Sequence, residues 1–198
     1  MSEIVIKELV KKDLDKVSEF ASLGMGFDQY TENKLALKMY SRYVALSELA
    51  KSTLAIGAYM DNRLVGFIFA RLDGQRKVQL NVGDKLLVKL LDSTIEKLDW
   101  TGLTKKYNAI NQDMLSQLPE KSREITFFAV DPTITGRGIG TTLINTAEKY
   151  LHGPTYVLTD SNCNYQFYLH RGFKIFAQND LKLEDDSPLT CYVLTKRL

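Results

Sequence analysis

A chain of 198 residues with 44% apolar and 25% charged side chains has the proportions of a soluble protein able to bury one full core as a single domain. Its formal net charge is +2, and with no basic run it argues against nucleic acid as a partner. No apolar run approaches the roughly 18 residues needed to cross a bilayer, and the N-terminus shows no charged-then-apolar leader, so no membrane partner and a cytoplasmic location are expected.

Ile4 to Leu9 alternates as a first strand, and Asp13 reads as the cap of a helix carried by Leu14, Val17, Phe20 and Ala21 and broken between Leu23 and Asp28. Asn33 precedes a second helix whose stripe of Leu35, Met39, Tyr43, Leu46 and Ala50 reads as core. Leu54 to Met60 and Leu64 to Arg71, joined through Asp61-Asn62-Arg63, read as an antiparallel hairpin in which Gly57 and Gly66 mark bulges or close packing.

The stretch 73–122 then intervenes before the next strand. Val78, Leu80 and Val82 alternate briefly. Leu87, Leu91, Ile95 and Leu98 recur at helical spacing, as do Tyr107, Ile110, Met114 and Leu118. A structureless loop of this length is uncommon. The segment reads as an inserted helical subdomain, either a lid on the substrate side or a dimerisation element, with Trp100 packing it onto the body.

Glu124 to Val130 is β-branched and aromatic, a strand largely buried on both faces and ended by Asp131-Pro132. Alternation with period two places Glu124 on the face of Thr126, Phe128 and Val130. After a loop, Leu143, Ile144, Ala147, Tyr150 and Leu151 form a helix stopped by His152-Gly153-Pro154. Gly136, Gly138 and Gly140 lead directly into that helix. Glycines let backbone N–H groups converge on a ligand, and the helix start adds partial positive charge, so the loop suits an anion. Arg137 adds a donor fork for phosphate oxygens, and Thr141 or Thr142 a hydroxyl. The loop has no lysine, which argues against a P-loop, and Leu143 breaks the dinucleotide spacing. The plain alternative is a turn whose glycines merely pack a helix on a strand.

Tyr156 to Thr159 reads as a strand and Cys163 to His170 as a short helix capped by Asp160 or Ser161. Phe173 to Ala177 and Leu189 to Lys196 read as strands linked by a polar, acidic turn from Asn179 to Pro188. Cys163 and Cys191 are the only cysteines, His152 and His170 the only histidines. Their spacing suits neither a metal site nor a disulfide framework. Cys163 reads as a packed thiol, since no His or Asn partner for a nucleophile is evident. The class is α/β with a mixed sheet.

Val130-Asp131-Pro132 followed by Gly136-Arg137-Gly138-Ile139-Gly140 resembles the acyl-CoA motif of the GNAT superfamily of N-acyltransferases, where [QR]-x-x-G-x-[GA] follows a strand ending near V-x-P. The run Asn164 to Phe173 resembles that family's later motif, F-Y-x-x-x-G-F. The resemblance covers most of the chain. It implies a mixed, mostly antiparallel central sheet of about six to seven strands flanked by helices, and acetyl-CoA as acyl donor without a metal. Arg137, Gly138, Ile139, Gly140 and Thr141, with Gly136 in the same loop, would meet the pyrophosphate. Phe128, Ala129 and Val130 would run beside the pantetheine, and Asn164 would bond the pantetheine or adenylate side. Thr135 stands where the family has Gln or Arg, which removes one phosphate contact and leaves the backbone cradle.

The same resemblance makes Tyr168 the general acid for the departing thiolate, with Phe167 pointing elsewhere. It makes Glu124 the general base, by likeness to the E-[IV]-x-F run of histone-modifying members. Read without it, the two are a packed aromatic and a surface carboxylate. A backbone N–H near Phe128 to Val130 would meet the oxyanion. The implied activity is direct transfer of an acetyl group to a primary amine, on a small molecule or a protein. The alternative is a CoA-binding sensor or interaction module, and a homodimer is possible.

Overall fold

The structure, a computed structural model, describes residues 3–25, 33–98, 103–183 and 186–198. Trp100 and most of the expected break after Leu23 lie outside these residues. The strands are β1 (Val5–Glu8), β2 (Leu54–Met60), β3 (Arg63–Arg71), β4 (Arg123–Val130), β5 (Pro154–Asp160), β6 (Lys174–Lys182) and β7 (Pro188–Arg197). They form one sheet in the order β1-β2-β3-β4-β5-β7-β6. Only β4 and β5 run parallel. The helices are α1 (Leu14–Gly24), α2 (Lys34–Lys51), α3 (Val82–Leu98), α4 (Leu103–Ser116), α5 (Ile139–Glu148) and α6 (Gln166–Leu169), with a 3₁₀ turn at Lys11–Asp13. This is the mixed α/β sandwich of sheet and helices that the sequence implies.

The central strands are mostly apolar because both their faces are covered. On one face α5 presses Leu143, Ile144 and Ala147 onto Val65, Ile68, Ile125 and Val157. A methyl group on Gly66 would lie 3.1 Å from Ile139 and Leu143, so this glycine serves close helix–strand packing. On the other face α1 and α2 bring Phe20 and Leu46 against Phe67, Phe69 and Phe127. The β2–β3 hairpin turns through Asp61 (φ 49°) and Asn62 (φ 60°), the paired left-handed conformation of a two-residue hairpin turn.

Several local expectations are corrected. Asn33 caps α2 as expected, its Oδ1 accepting from the Leu35 and Ala36 amides at 3.0 and 3.2 Å. The α2 stripe is different: Leu35 and Met39 are exposed, and the helix meets the body through Ser41, Ala45, Leu46 and Leu49. Val78 to Val82 forms no strand. The Val78 amide donates to the Ser52 carbonyl (2.8 Å), and α3 begins at Val82. The β6 strand extends to Lys182, well into the stretch expected as a turn. The α4 helix covers β6 and β7, with Met114 against Leu181, Leu189 and Val193.

Asp13 does not cap α1. Its carboxylate instead accepts from the Tyr59 hydroxyl at 2.8 Å, while that hydroxyl accepts from the Val10 amide at 3.3 Å. Burial, helped by Asp13 and opposed by the Val10 bond, pushes the Tyr59 phenol up to about 12. An unfolded tyrosine ionises near pH 10. Between about pH 10 and 12 the unfolded chain therefore binds fewer protons than the folded one, and this contribution to stability is lost as pH rises. Tyr59→Phe is expected to cost about 1–2 kcal/mol at pH 8. In urea titrations it should lose less stability than the parent between pH 10 and 12.

Candidate active site

The β4 and β5 strands pair only at Arg123–Thr155, Glu124–Tyr156 and Ile125–Val157. Both continue beyond, to Val130 and Asp160, so they diverge and leave a gap in the middle of the sheet. A slot of about 530 Å³ fills it, walled by β4 from Ile125 to Val130, the loop from Ile134 to Thr141, the end of β5 and the start of α6. Phe128, Ala129, Val130, Thr135, Gly136, Arg137, Gly138, Ile139, Gly140, Thr141, Asn164 and Tyr168 all line this one slot.

The loop is built locally. Asp131 Oδ1 accepts from the Thr133 amide (2.9 Å) and hydroxyl (2.6 Å), turning the chain after β4. Gly136 and Gly138 take φ of 67° and 69°, with nothing within 4 Å of where a Cβ would stand. Gly138 is the N-cap of α5, and no side chain caps it. The first intrahelical bond runs from the Thr142 amide to the Gly138 carbonyl at 2.9 Å. The amides of Ile139, Gly140 and Thr141 thus have no partner within the helix and point off its positive end. Thr142 is not part of this cradle: its hydroxyl donates back to the Gly138 carbonyl at 3.1 Å. Thr141 accepts a hydrogen bond from the Arg171 guanidinium, which stands 5.5 Å from the Phe167 ring. Arg171 is thus a second cation at the cradle.

Tyr168 is buried with ring centroids of Phe128, Phe167 and Phe173 at 6.1, 5.5 and 5.6 Å. Burial, with the neighbouring Cys163 adding, pushes its phenol far above the ordinary value, so it holds its proton. Phe167 does not point elsewhere. It lines the slot, 5.4 Å from the Phe128 ring, and with Phe128 it fills the space a side chain on Gly140 would need. The Cys163 thiol is pushed up to about 12, chiefly by burial and then by Asp160, and is a packed thiol rather than a thiolate. The α6 helix spans only Gln166–Leu169 without a side-chain cap. Asp160 instead closes the turn before it, accepting from the Asn162 amide at 2.9 Å.

Glu124 is the residue the sequence misplaces. Along β3 and β4, Phe69 pairs with Phe127 and the next residue, Ala70, pairs with Ile125, so Thr126 is an extra residue, a β-bulge. The bulge resets the alternation. Ile125 packs with Phe128 and Val130 on the α5 face, and Glu124 falls with Phe127 and Ala129 on the α1/α2 face. There Glu124 Oε2 pairs with the Arg71 guanidinium (2.7 Å), which also donates to the Tyr156 hydroxyl at 2.9 Å. These three groups line a second cavity, of about 750 Å³, with Glu48 and Lys51 of α2 and Tyr107 and Asn111 of α4. Slot and cavity share Thr126, Phe127, Leu158 and Tyr107 as walls. They meet through the gap between β4 and β5.

Residues 25–173 match the family described as Acetyltransferase (GNAT) family. The chain belongs to that family. None of the curated proteins matches the sequence. Among solved structures, the PaiA N-acetyltransferase of Thermoplasma acidophilum in complex with coenzyme A is 17% identical, with 99% of each chain covered and a TM-score of 0.56. An aminoglycoside 6'-acetyltransferase type Ii is 18% identical (98% of this chain, 96% of that one, TM-score 0.55). The yncA structure from Salmonella typhimurium with acetyl-CoA is 13% identical (98% and 94%, TM-score 0.52). At these identities the likeness is one of fold.

In this GNAT chain the sequence motifs find the slot but not the neighbouring cavity. Arg171 stood inside the second motif, in His170-Arg171-Gly172, yet nothing in the sequence tied it to Thr141. Arg71, Tyr156, Tyr107, Asn111 and Glu48 come from four different elements, and only the tertiary structure assembles them. Among the described residues no group of three or more His, Cys, Asp or Glu is arranged to hold a metal ion.

Proposed function

We propose that the chain moves an acetyl group from acetyl-CoA directly to a primary amine on a small molecule or a protein. The observation that carries this reading is the junction of the two cavities across Thr126, Phe127 and Leu158. Donor and acceptor can enter from opposite faces of the sheet and meet in its gap. Structures with coenzyme A and acetyl-CoA among the neighbours support the choice of donor, and so does the cradle, whose free amides and two arginines suit a pyrophosphate.

Acetyl-CoA supplies an activated thioester carbonyl when bound. The loop amides from Gly138 to Thr141, with Arg137 and Arg171, hold the pyrophosphate end. Asn164 and the unpaired edge of β4 at Phe128, Ala129 and Val130 guide the pantetheine arm. Thr135, shorter than the Gln or Arg of the motif, lines the slot without reaching far toward phosphate. An alkyl ammonium with a pKa of about 10.4 must lose a proton before it attacks. Glu124, facing the acceptor cavity, holds that ammonium while its proton passes to the carboxylate-lined wall of the cavity. Tyr168, still protonated, hands a proton to the leaving sulfur. Cys163 is too protonated to carry the acyl group, which favours direct transfer.

The whole chain acts as one domain, with residues 73–122 as its insertion. Because α4 walls the acceptor cavity through Tyr107 and Asn111, the insertion belongs to the substrate side. No helix among the described residues is long and apolar enough to cross a membrane, and a cytoplasmic site of action goes with the supply of acetyl-CoA.

The test is release of free CoA with a fixed set of amines: 1,4-diaminobutane, 2-phenylethylamine, kanamycin and a peptide with a free α-amino group. At least one is expected to give CoA and acetylated amine in equal amounts. Tight acetyl-CoA binding with no release for any of them would favour the sensor.

A further inference from the structure

The acceptor cavity holds a second carboxylate, which the reaction as described so far leaves unnamed. Glu48 projects from the last turns of α2 into the cavity that Glu124 enters from β4. Its side chain is 22% exposed, and its Oε1 lies 2.7 Å from Lys51 Nζ. The turn that carries it is pinned to the junction of the two cavities. The Ser52 hydroxyl donates to the Glu48 carbonyl (2.7 Å) and lies 2.7 Å from the hydroxyl of Thr126, the bulge residue whose walls the slot and the cavity share. Asn111, buried in the same lining, has an Oδ1 without a hydrogen-bond partner among the described residues. With Tyr107, to which the Asn111 side chain hydrogen-bonds, it makes the α4 wall of the cavity polar.

Resting on the acetyltransferase reading above, we infer that Glu48 is the carboxylate on which the amine's proton comes to rest, so that Glu124 and Glu48 work as a pair. Glu124 is held by Arg71 and anchors the ammonium. Glu48 is held by a lysine that is itself more than half exposed, and it can gain a proton with less loss. Burial, the largest influence, raises its carboxyl above the usual value. Lys51 opposes that rise, Glu124 adds to it and Arg71 opposes it. The phenols of Tyr156 and Tyr107 complete the titratable groups of the cavity. A base whose pKa has moved toward neutrality is better matched to its task than an ordinary carboxylate.

The step balances. The ammonium R–NH₃⁺ gives one proton to the Glu48 carboxylate, the neutral amine forms the N–C bond to the acetyl carbon, and the C–S bond breaks. Tyr168 gives its proton to the departing sulfur, the second proton from the nitrogen passes through water to restore the Tyr168 phenol, and Glu48 releases its proton to solvent.

The test is kcat against pH, between 5 and 9, at saturating acetyl-CoA and the best acceptor of the four amines, in the parent, Glu48→Gln, Glu48→Asp and Glu124→Gln. The parent is expected to lose kcat on the acid side, with an apparent pKa above the usual carboxylate range. Glu48→Gln should be about 10²-fold slower or worse and lack that acid limb, while binding acetyl-CoA as the parent does. Glu48→Asp and Glu124→Gln should keep the limb at reduced rates. In the free parent, the carboxyl ¹³C resonance that disappears in Glu48→Gln should titrate above the usual range. A Glu48→Gln protein that keeps both the parent's limb and its rate overturns the inference, and so does a Glu48 resonance that titrates as an ordinary carboxylate. A parent that acetylates none of the four amines overturns the reading on which it rests, a distinguishable result.

Discussion

Gly138→Glu is expected to abolish acetyl-CoA binding while the fold survives. Gly138 has φ of 69° and open space beyond its Cα, so a side chain there meets no neighbour but must adopt the left-handed region, at about 1–2 kcal/mol. A carboxylate at a helix N-terminus returns part of that cost through the helix dipole. The same carboxylate occupies the space, and opposes the charge, of an incoming pyrophosphate. Calorimetry should show acetyl-CoA affinity reduced by more than about 100-fold, since several charge-assisted hydrogen bonds of about 1.5–3 kcal/mol each are lost. Gly138→Ala, which carries only the backbone strain, should show a much smaller loss. Unchanged affinity in Gly138→Glu would remove the pyrophosphate from this loop.

Tyr168→Phe is the second large effect. It keeps the ring and its contacts with Phe128, Phe167 and Phe173 and removes only the hydroxyl. A free thiol has a pKa of about 8.5, so the thiolate is a tolerable leaving group even without help, and general-acid assistance is typically worth about 10²–10⁴-fold. In the buried slot both a thiolate and a phenolate are poorly solvated, which strengthens the case for a donor that stays protonated until the sulfur leaves. The variant should show kcat lowered within that range and acetyl-CoA affinity nearly unchanged, because the lost interaction is made mainly in the transition state. A variant as fast as the parent, where chemistry limits the rate, would leave Tyr168 a core aromatic.

What the sequence shows and what it hides divide on physical lines. The continuous apolar runs of β3 and β4, the Asp61-Asn62 turn, the Asn33 cap and the glycine loop before α5 are signals carried by neighbouring residues, and each appears where expected. The bulge at Thr126 is not such a signal. It is visible only as a shift in pairing with Phe69 and Ala70, and one extra residue moves Glu124 to the opposite face of the sheet. The second half of β6, past Ala177, escaped because it lies at the sheet edge: mostly exposed, with Asn179, Asp180 and Lys182, it lacks the apolar alternation that marks a half-buried strand. The divergence of β4 from β5 after Ile125 and Val157 depends on residues paired 32 positions apart. Glu48, Arg71 and Tyr156, which that divergence leaves around one cavity, carry no motif of their own.

The measurement that bears most directly on this account is a crystal structure of the protein with coenzyme A bound. The pyrophosphate is expected within hydrogen-bond distance of the amides between Gly138 and Thr141, the pantetheine along Phe128 to Val130, and the thiol in the gap beside the Tyr168 hydroxyl. A pyrophosphate seated away from the start of α5, or a thiol outside the gap between β4 and β5, would contradict it.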